Sequence, residues 1–258
     1  GSGDLQITQA VLDGAAGFTQ QVIGRSDGSG TLDAGTLTLR ANTTLQTGSA
    51  DLQLDGAVNG GYDLALASGG TTRIARDIGT LEALRSLTTD NQADAADWNG
   101  SSGEHTRIDS GNGSAVRIVT SGAQTFRDPL VTGSATSFTG STLSALHAAN
   151  AFGGAVSVAA DSLQLRSASN LQLADVALTG GGSVEADGTI ELAGALQLQG
   201  GTLSLRSNAL PNAVGFADAA LQNPLLNLRG VALSEASAAI FQSGGTLTRA
   251  APSLLSLR

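Results

Sequence analysis

Short segments of alternating apolar and polar residues recur along most of the chain, and Gly, Asn, Asp or Ser usually follows each one. In Leu52-Gln53-Leu54, alternation places the two leucines on one face of a strand and the glutamine on the other. Similar segments begin at positions 37, 64, 156, 163, 171, 176, 190, 196, 203 and 226. The pattern predicts short β-strands separated by tight turns.

The spacing of these segments predicts how the strands are arranged. Between residues 156 and 203 an apolar pair begins about every seven residues, closer than the ~8–12 residues usual in sandwiches and barrels. Three such strands make about 20 residues, the length of one coil of a three-sided parallel β-helix. The sequence therefore predicts an all-β solenoid over residues 4–258, as a single unit with a few loop or short helical insertions.

Composition agrees with a narrow, repetitive interior. Hydrophobic residues make up 41% of the chain but aromatic residues only 3%, so the core is predicted to consist almost wholly of small aliphatic side chains. The 35 glycines suit the tight corners of such a coil.

Composition also disfavours several functions. The absence of cysteine excludes disulfides, a thiol nucleophile and cysteine-ligated metals, and two histidines are too few for a three-histidine site. A net charge of −9 disfavours nucleic acid, heparin and anionic membranes as partners. No apolar run approaches the ~18 residues of a membrane span, so no membrane insertion is expected. No cofactor or metal is expected.

Three segments interrupt the repeat. Residues 90–110 form a polar stretch that holds the only tryptophan, and they predict a loop projecting from the rod. Residues 80–87 are compatible with one helical turn or with the entry to a strand over Leu84–Thr89. Residues 141–152 and 212–221 predict smaller excursions with helical character.

The predicted loop holds the candidate ligand-binding residues Asp94, Asp97, Trp98 and His105, since long loops on a solenoid usually carry binding. Trp98 could stack on a sugar ring, the acidic and amide side chains could bind Ca²⁺, and His105 could transfer a proton. In the alternative interpretation Trp98 packs the loop onto the rod and the acidic groups are solvated.

A second acidic pair, Glu185 and Asp187, lies two residues apart on a predicted strand. A rise of ~3.3 Å per residue separates them by about 6.7 Å, within the ~6.5–9.5 Å of inverting glycosidases. Any acidic strand gives this spacing, however, and no aromatic residue lies nearby. No catalytic residue is therefore predicted.

Two segments resemble a known family. Residues 119–130 read VTSGAQTFRDPL, and residues 84–90 read LRSLTTD. They resemble the T-x-G-A-Q-T-[YF]-x-D-x-[VL] and L-x-S-L-T segments of large bacterial exoproteins of the filamentous-haemagglutinin type. The resemblance implies a right-handed β-helix, exported through the outer membrane by a partner transporter (two-partner secretion) or by the protein's own barrel (autotransporter). It implies an extracellular adhesin or stalk, and the motifs themselves are structural.

The ends of the chain predict a fragment of a larger protein. Gly1-Ser2-Gly3 resembles a cloning scar, and residues 254–258 resemble a strand without a closing cap.

We expect a structural or adhesive segment of a secreted or cell-surface bacterial protein, without catalysis, that presents loops to a host or bacterial glycan or protein receptor. One alternative is a β-helical carbohydrate-active enzyme: a glycoside hydrolase, a lyase or a phage-type depolymerase. This enzyme would need carboxylates that converge from adjacent coils inside a groove. A second alternative is an inert stalk.

Overall fold

A computed structural model describes residues 3–14, 17–89 and 105–208, together with the backbone of residues 213–216, 240–242, 245–249 and 254–257. Almost all regular structure in these residues is parallel β-strand, in about nine stacked coils. The predicted all-β solenoid is confirmed.

The strands form three sheets that run along the rod. Sheet 1 contains β1 (Leu5–Ile7), β3 (Leu32–Ala34), β6 (Leu52–Leu54), β9 (Thr71–Ile74), β11 (His105–Ile108), β14 (Leu130–Thr132) and β17 (Ala151–Phe152). Sheet 2 contains β2 (Gln20–Gly24), β5 (Asn42–Gln46), β8 (Asp63–Ala67), β10 (Ser86–Thr89), β13 (Ala123–Phe126), β16 (Thr142–Ala145), β19 (Ser162–Ser167), β21 (Gly182–Ala186), β24 (Thr202–Ser207), β27 (Gly245–Arg249) and β26 (Ile240–Gln242). Sheet 3 contains β12 (Val116–Val119), β15 (Thr136–Thr139), β18 (Val156–Ala160), β20 (Leu171–Leu178), β22 (Ile190–Leu192), β23 (Leu196–Leu198), β25 (Ala213–Phe216) and β28 (Leu254–Leu257).

Two short strands, β4 (Leu37–Thr38) and β7 (Val58–Asn59), pair in the position of sheet 3 in the first coils. Val58 continues that position through bridges to Ile78 and then to Ile118. Among the described strands only β26 and β27 pair antiparallel.

Cross-strand register confirms the predicted coil length. Leu143 of β16 lies opposite Leu163 of β19, and Val58 is bridged to Ile78. A coil without an insertion therefore takes about 20 residues. Where the predicted Leu-x-Leu segments are described, as at Leu52 and Leu54, both apolar side chains are buried. Each fully buried leucine contributes roughly 1.5–3 kcal/mol to stability relative to an exposed one.

Two of the few aromatic residues of the core meet in the middle of the rod. Phe126 of sheet 2 and Phe138 of sheet 3 are both buried, and their rings pack edge to face with centroids 5.7 Å apart. An edge-to-face pair of this kind contributes more than its buried area alone.

One short helix, α1 (Gln9–Asp13), precedes β2 and was not predicted. The Gln9 carboxamide accepts a hydrogen bond from the Thr38 N–H (2.7 Å) and donates one to the Thr38 carbonyl (3.1 Å). A side chain thus supplies the pairing that a neighbouring strand would give to the free edge of β4.

The helical expectations for two segments are wrong. Residues 80–87 contain no helix, and Ser86–Thr89 is strand β10, so the strand alternative is correct. Residues 141–152 hold strands β16 and β17. Alternating buried side chains in both segments favour the extended conformation. Of residues 212–221, only 213–216 are described, as strand β25.

The segments at 171 and 176, predicted as separate strands, form the single eight-residue strand β20. Its first half pairs with β22 and its second half with β23. None of the helices in the described residues is long and apolar enough to cross a membrane.

Candidate functional site

The most distinctive feature of the rod is the corner between β10 and β11, where residues 90–104 are inserted. These residues connect β10 of sheet 2 to β11 of sheet 1. The Thr89 hydroxyl donates a hydrogen bond to the Asp128 carboxylate (2.7 Å), and the Thr106 hydroxyl donates to both of its oxygens (3.0 and 2.8 Å). A single carboxylate therefore holds the two ends of the insertion together. We call these three residues the corner clamp.

The corner clamp is buried in the rod. Thr89 and Thr106 are completely inaccessible to solvent, and Asp128 is only 5% exposed. A buried carboxylate is tolerated only when hydrogen bonds replace its lost hydration, and the two threonines supply such bonds. The clamp therefore seals the core at the corner where the insertion interrupts the coil.

Strand register explains how residues so distant in sequence meet. Leu87 of β10 lies opposite Gln124 of β13, and Thr106 of β11 lies opposite Leu130 of β14. Asp128 lies between β13 and β14, at the same corner one coil further along the rod. The two segments that carried the family resemblance are thereby stacked on one another.

Two other polar side chains close to the corner clamp, Gln124 and Asn150, are also buried. The buried Gln124 amide donates to the Thr139 carbonyl (2.7 Å) and to the Thr120 hydroxyl (3.2 Å). In the next coil the buried Asn150 accepts from the Leu130 N–H (2.7 Å) and donates to the Ala145 carbonyl (2.9 Å). These side chains join coils to each other and are structural.

The structure shortens the predicted loop at its C-terminal end. Residues 105–108 form β11, in which Thr106 and Ile108 are buried, so they belong to the rod. Of the predicted ligand-binding residues, only His105 is described. It is half-buried, begins β11 and lies opposite Thr71. Asp94, Asp97 and Trp98 lie outside the described residues.

The acidic pair Glu185 and Asp187 lies on the outer face of sheet 2. Asn208 donates one hydrogen bond to each carboxylate (3.0 and 3.1 Å). Glu185 also lies opposite Arg166 and Arg206 in the two adjacent strands. Glu185 thus alternates with arginines along the sheet.

Charged side chains commonly pair between neighbouring coils. Arg117 contacts Asp77 (2.7 Å), and Arg85 is paired with Asp63. The hydrogen bond from Arg85 is the main cause that holds the pKa of Asp63 below its usual value. These exposed pairs contribute little stability each.

In the described part of the chain, no group of three His, Asp or Glu side chains is placed to hold a metal ion.

The Asp33 carboxyl differs from the carboxyls that are paired with arginine. Its pKa is raised, first by burial and then by the charges of the nearby Asp55 and Asp4.

Comparison with protein-family models, curated proteins and solved structures finds no match. What the chain does is therefore inferred from the geometry of the rod and its corner.

Proposed function

We propose that this chain is a structural, adhesive segment of a secreted or surface-displayed bacterial protein, in which a stiff rod presents residues 90–104 to a receptor. The observation that carries the proposal is the corner clamp. It fixes both ends of the insertion while the coils continue on either side, so the insertion can vary in sequence without disturbing the core.

The stacked strands support a display role because strand pairing continues on both sides of the insertion. Leu87 and Thr106, on either side of it, pair with consecutive strands of the next coil. Closing a loop of this size costs only a modest conformational entropy, which the hydrogen bonds of the clamp help to offset.

Within the insertion, Asp94, Asp97 and Trp98 are the proposed receptor contacts, with His105 at the point where the chain re-enters the rod. An indole ring can cover the C–H face of a sugar or an apolar protein side chain, while carboxylates accept hydrogen bonds from hydroxyl or amide groups. The proposed receptor is a glycan or a protein on a host or bacterial surface.

Export through the outer membrane by a transporter belongs to the same proposal. The resemblance of residues 84–90 and 119–130 to segments of filamentous-haemagglutinin-type exoproteins supports it. The burial of Gln124 and Asp128 in the second segment agrees with a structural role for that motif. A stacked fold also suits export, because folding can propagate coil by coil from one end.

The test of this function is retention of the intact chain on immobilised host and bacterial glycans and surface proteins, with released reducing ends measured in parallel. We expect saturable retention without release, and Trp98→Ala should weaken it at least about tenfold. Phe18→Ala is the matched control, because Phe18 is an aromatic residue elsewhere on the rod with 66% of its surface exposed.

Each of the other outcomes would contradict the proposal in a different way. Unchanged retention by Trp98→Ala would remove the insertion from the binding site. Release of reducing ends, lost in Glu185→Gln, would favour the enzyme, and no retention on any surface would favour the stalk.

A further inference from the structure

An open groove of about 720 Å³ lies at a different corner, between sheets 1 and 3. Its floor includes Asp55, Arg76 and Asp77, and its walls come from residues 80–81 and 110–116. The volume is within the ~300–1,000 Å³ typical of ligand sites.

The groove arises from the length of the chain at this corner. Seven residues, 109–115, connect β11 to β12, whereas the next coil crosses the same corner with three, 133–135. On the opposite side the chain turns away at Gly79, which has a φ of +71°. A Cβ at Gly79 would lie 1.9 Å from the Val119 carbonyl oxygen, so only glycine fits there.

Hydrogen bonds fix both walls. The Leu81 N–H donates to the Asn59 side-chain oxygen (2.9 Å). In the other wall the Ser110 hydroxyl donates to the Ser114 carbonyl (2.8 Å), and the Ser114 N–H donates to the Asn112 side-chain oxygen (3.0 Å). The groove is therefore preformed, which reduces the entropy lost when a ligand binds.

The charges leave one cation available in the groove. Asp55 is paired with Arg73 (2.9 Å), and Asp77 is paired with Arg117 (2.7 Å). Arg76 is exposed, and within the described residues it forms no salt bridge. One of its terminal nitrogens donates to the Ala75 and Ser110 carbonyls (2.9 and 3.2 Å), which orients the guanidinium against the wall.

We propose that this groove binds a carboxylate-bearing oligosaccharide, such as a chain of hexuronic acids, and that Arg76 contacts the carboxylate. A guanidinium can form two parallel hydrogen bonds to a carboxylate. Hydroxyl and amide side chains in the walls (Thr80, Asn112 and Ser114) can pair with sugar hydroxyls, and the 90%-exposed Leu81 can cover an apolar sugar face.

The surroundings favour a sugar over a peptide. A common way for an extended peptide to bind is to add a strand at an unpaired sheet edge, where main-chain hydrogen bonds supply the affinity. At this corner β9 is paired on both sides, by β6 and β11, so no such edge is available there.

The experiment titrates the intact chain with hexuronic-acid oligomers, with their methyl-esterified forms and with oligo-glutamate. We expect saturable binding of the acidic oligomer and a loss of at least about tenfold in affinity for Arg76→Gln and for the methyl ester. Arg206→Gln is the control, because Arg206 is also exposed and also outside the described salt bridges. It should bind as tightly as the unaltered chain, and a thermal melt should show that both variants are folded.

No binding of the acidic oligomer, equal binding of its ester, or an equal loss in both arginine variants would overturn the proposal. Equal affinity for oligo-glutamate would assign the groove to acidic peptides and would also overturn it. The groove is a second site beside the proposed receptor site, so hexuronic-acid binding should be unchanged in Trp98→Ala. The groove and the insertion can therefore fail independently.

Discussion

Replacing Asp128 with Ala is expected to lower the free energy of unfolding by about 3 kcal/mol or more. The substitution removes the carboxylate that accepts from Thr89 and Thr106, and leaves two fully buried hydroxyl groups without this acceptor. Each buried hydroxyl that loses its partner costs roughly 1–3 kcal/mol. Urea denaturation followed by circular dichroism measures the loss directly.

A surface pair of the same chemistry provides the control. The Thr179 hydroxyl donates to the exposed Asp161 carboxylate (2.5 Å), and Asp161→Ala should cost less than about 1 kcal/mol because water replaces the lost bond. The triple variant Thr89→Val, Thr106→Val, Asp128→Leu should recover part of the stability lost in Asp128→Ala. Equal, small losses for Asp128→Ala and Asp161→Ala would show that the corner clamp does not seal the core.

Phe138→Ala is the second substitution with a large expected effect, about 3–5 kcal/mol. The ring is almost completely buried and packs edge to face on Phe126 across the interior. In a narrow core the coils above and below are tied by their strand pairing, so they have little freedom to collapse into the cavity. Thermal and urea unfolding of the variant give the magnitude.

Two further variants separate cavity formation from loss of an aromatic residue. Phe138→Leu should cost about half as much, since most of the volume is kept. Phe18→Ala should change stability by less than about 0.5 kcal/mol because that ring is largely exposed. A loss below about 1 kcal/mol for Phe138→Ala would contradict the described packing.

The fold was predictable because its signals are local and repeated. A segment such as Leu163-Gln164-Leu165 shows which residues face inward without knowledge of its partners, and the spacing of such segments gives the coil length. Strand β11 could also have been predicted from the sequence. Thr106-Arg107-Ile108 repeats Thr72-Arg73-Ile74, and the structure stacks these tripeptides in register.

The corner clamp and the groove could not be predicted in the same way. Thr89, Thr106 and Asp128 meet only after the coil is closed across an insertion, and a sequence repeat does not reveal the register on its far side. Likewise, Arg76 is identified as the available cation only when the pairing of Asp55 and Asp77 with other arginines is known.

Replacing residues 90–104 with a short Gly-Ser linker tests the central claim most directly, namely that the rod is a scaffold and the insertion is the part that binds. We predict a variant with the circular dichroism spectrum of the intact chain and a melting temperature within a few degrees of it. We also predict that it has lost the Trp98-dependent retention on its receptor surface but still binds hexuronic-acid oligomers. Unfolding of the variant, or receptor retention equal to that of the intact chain, would contradict the account.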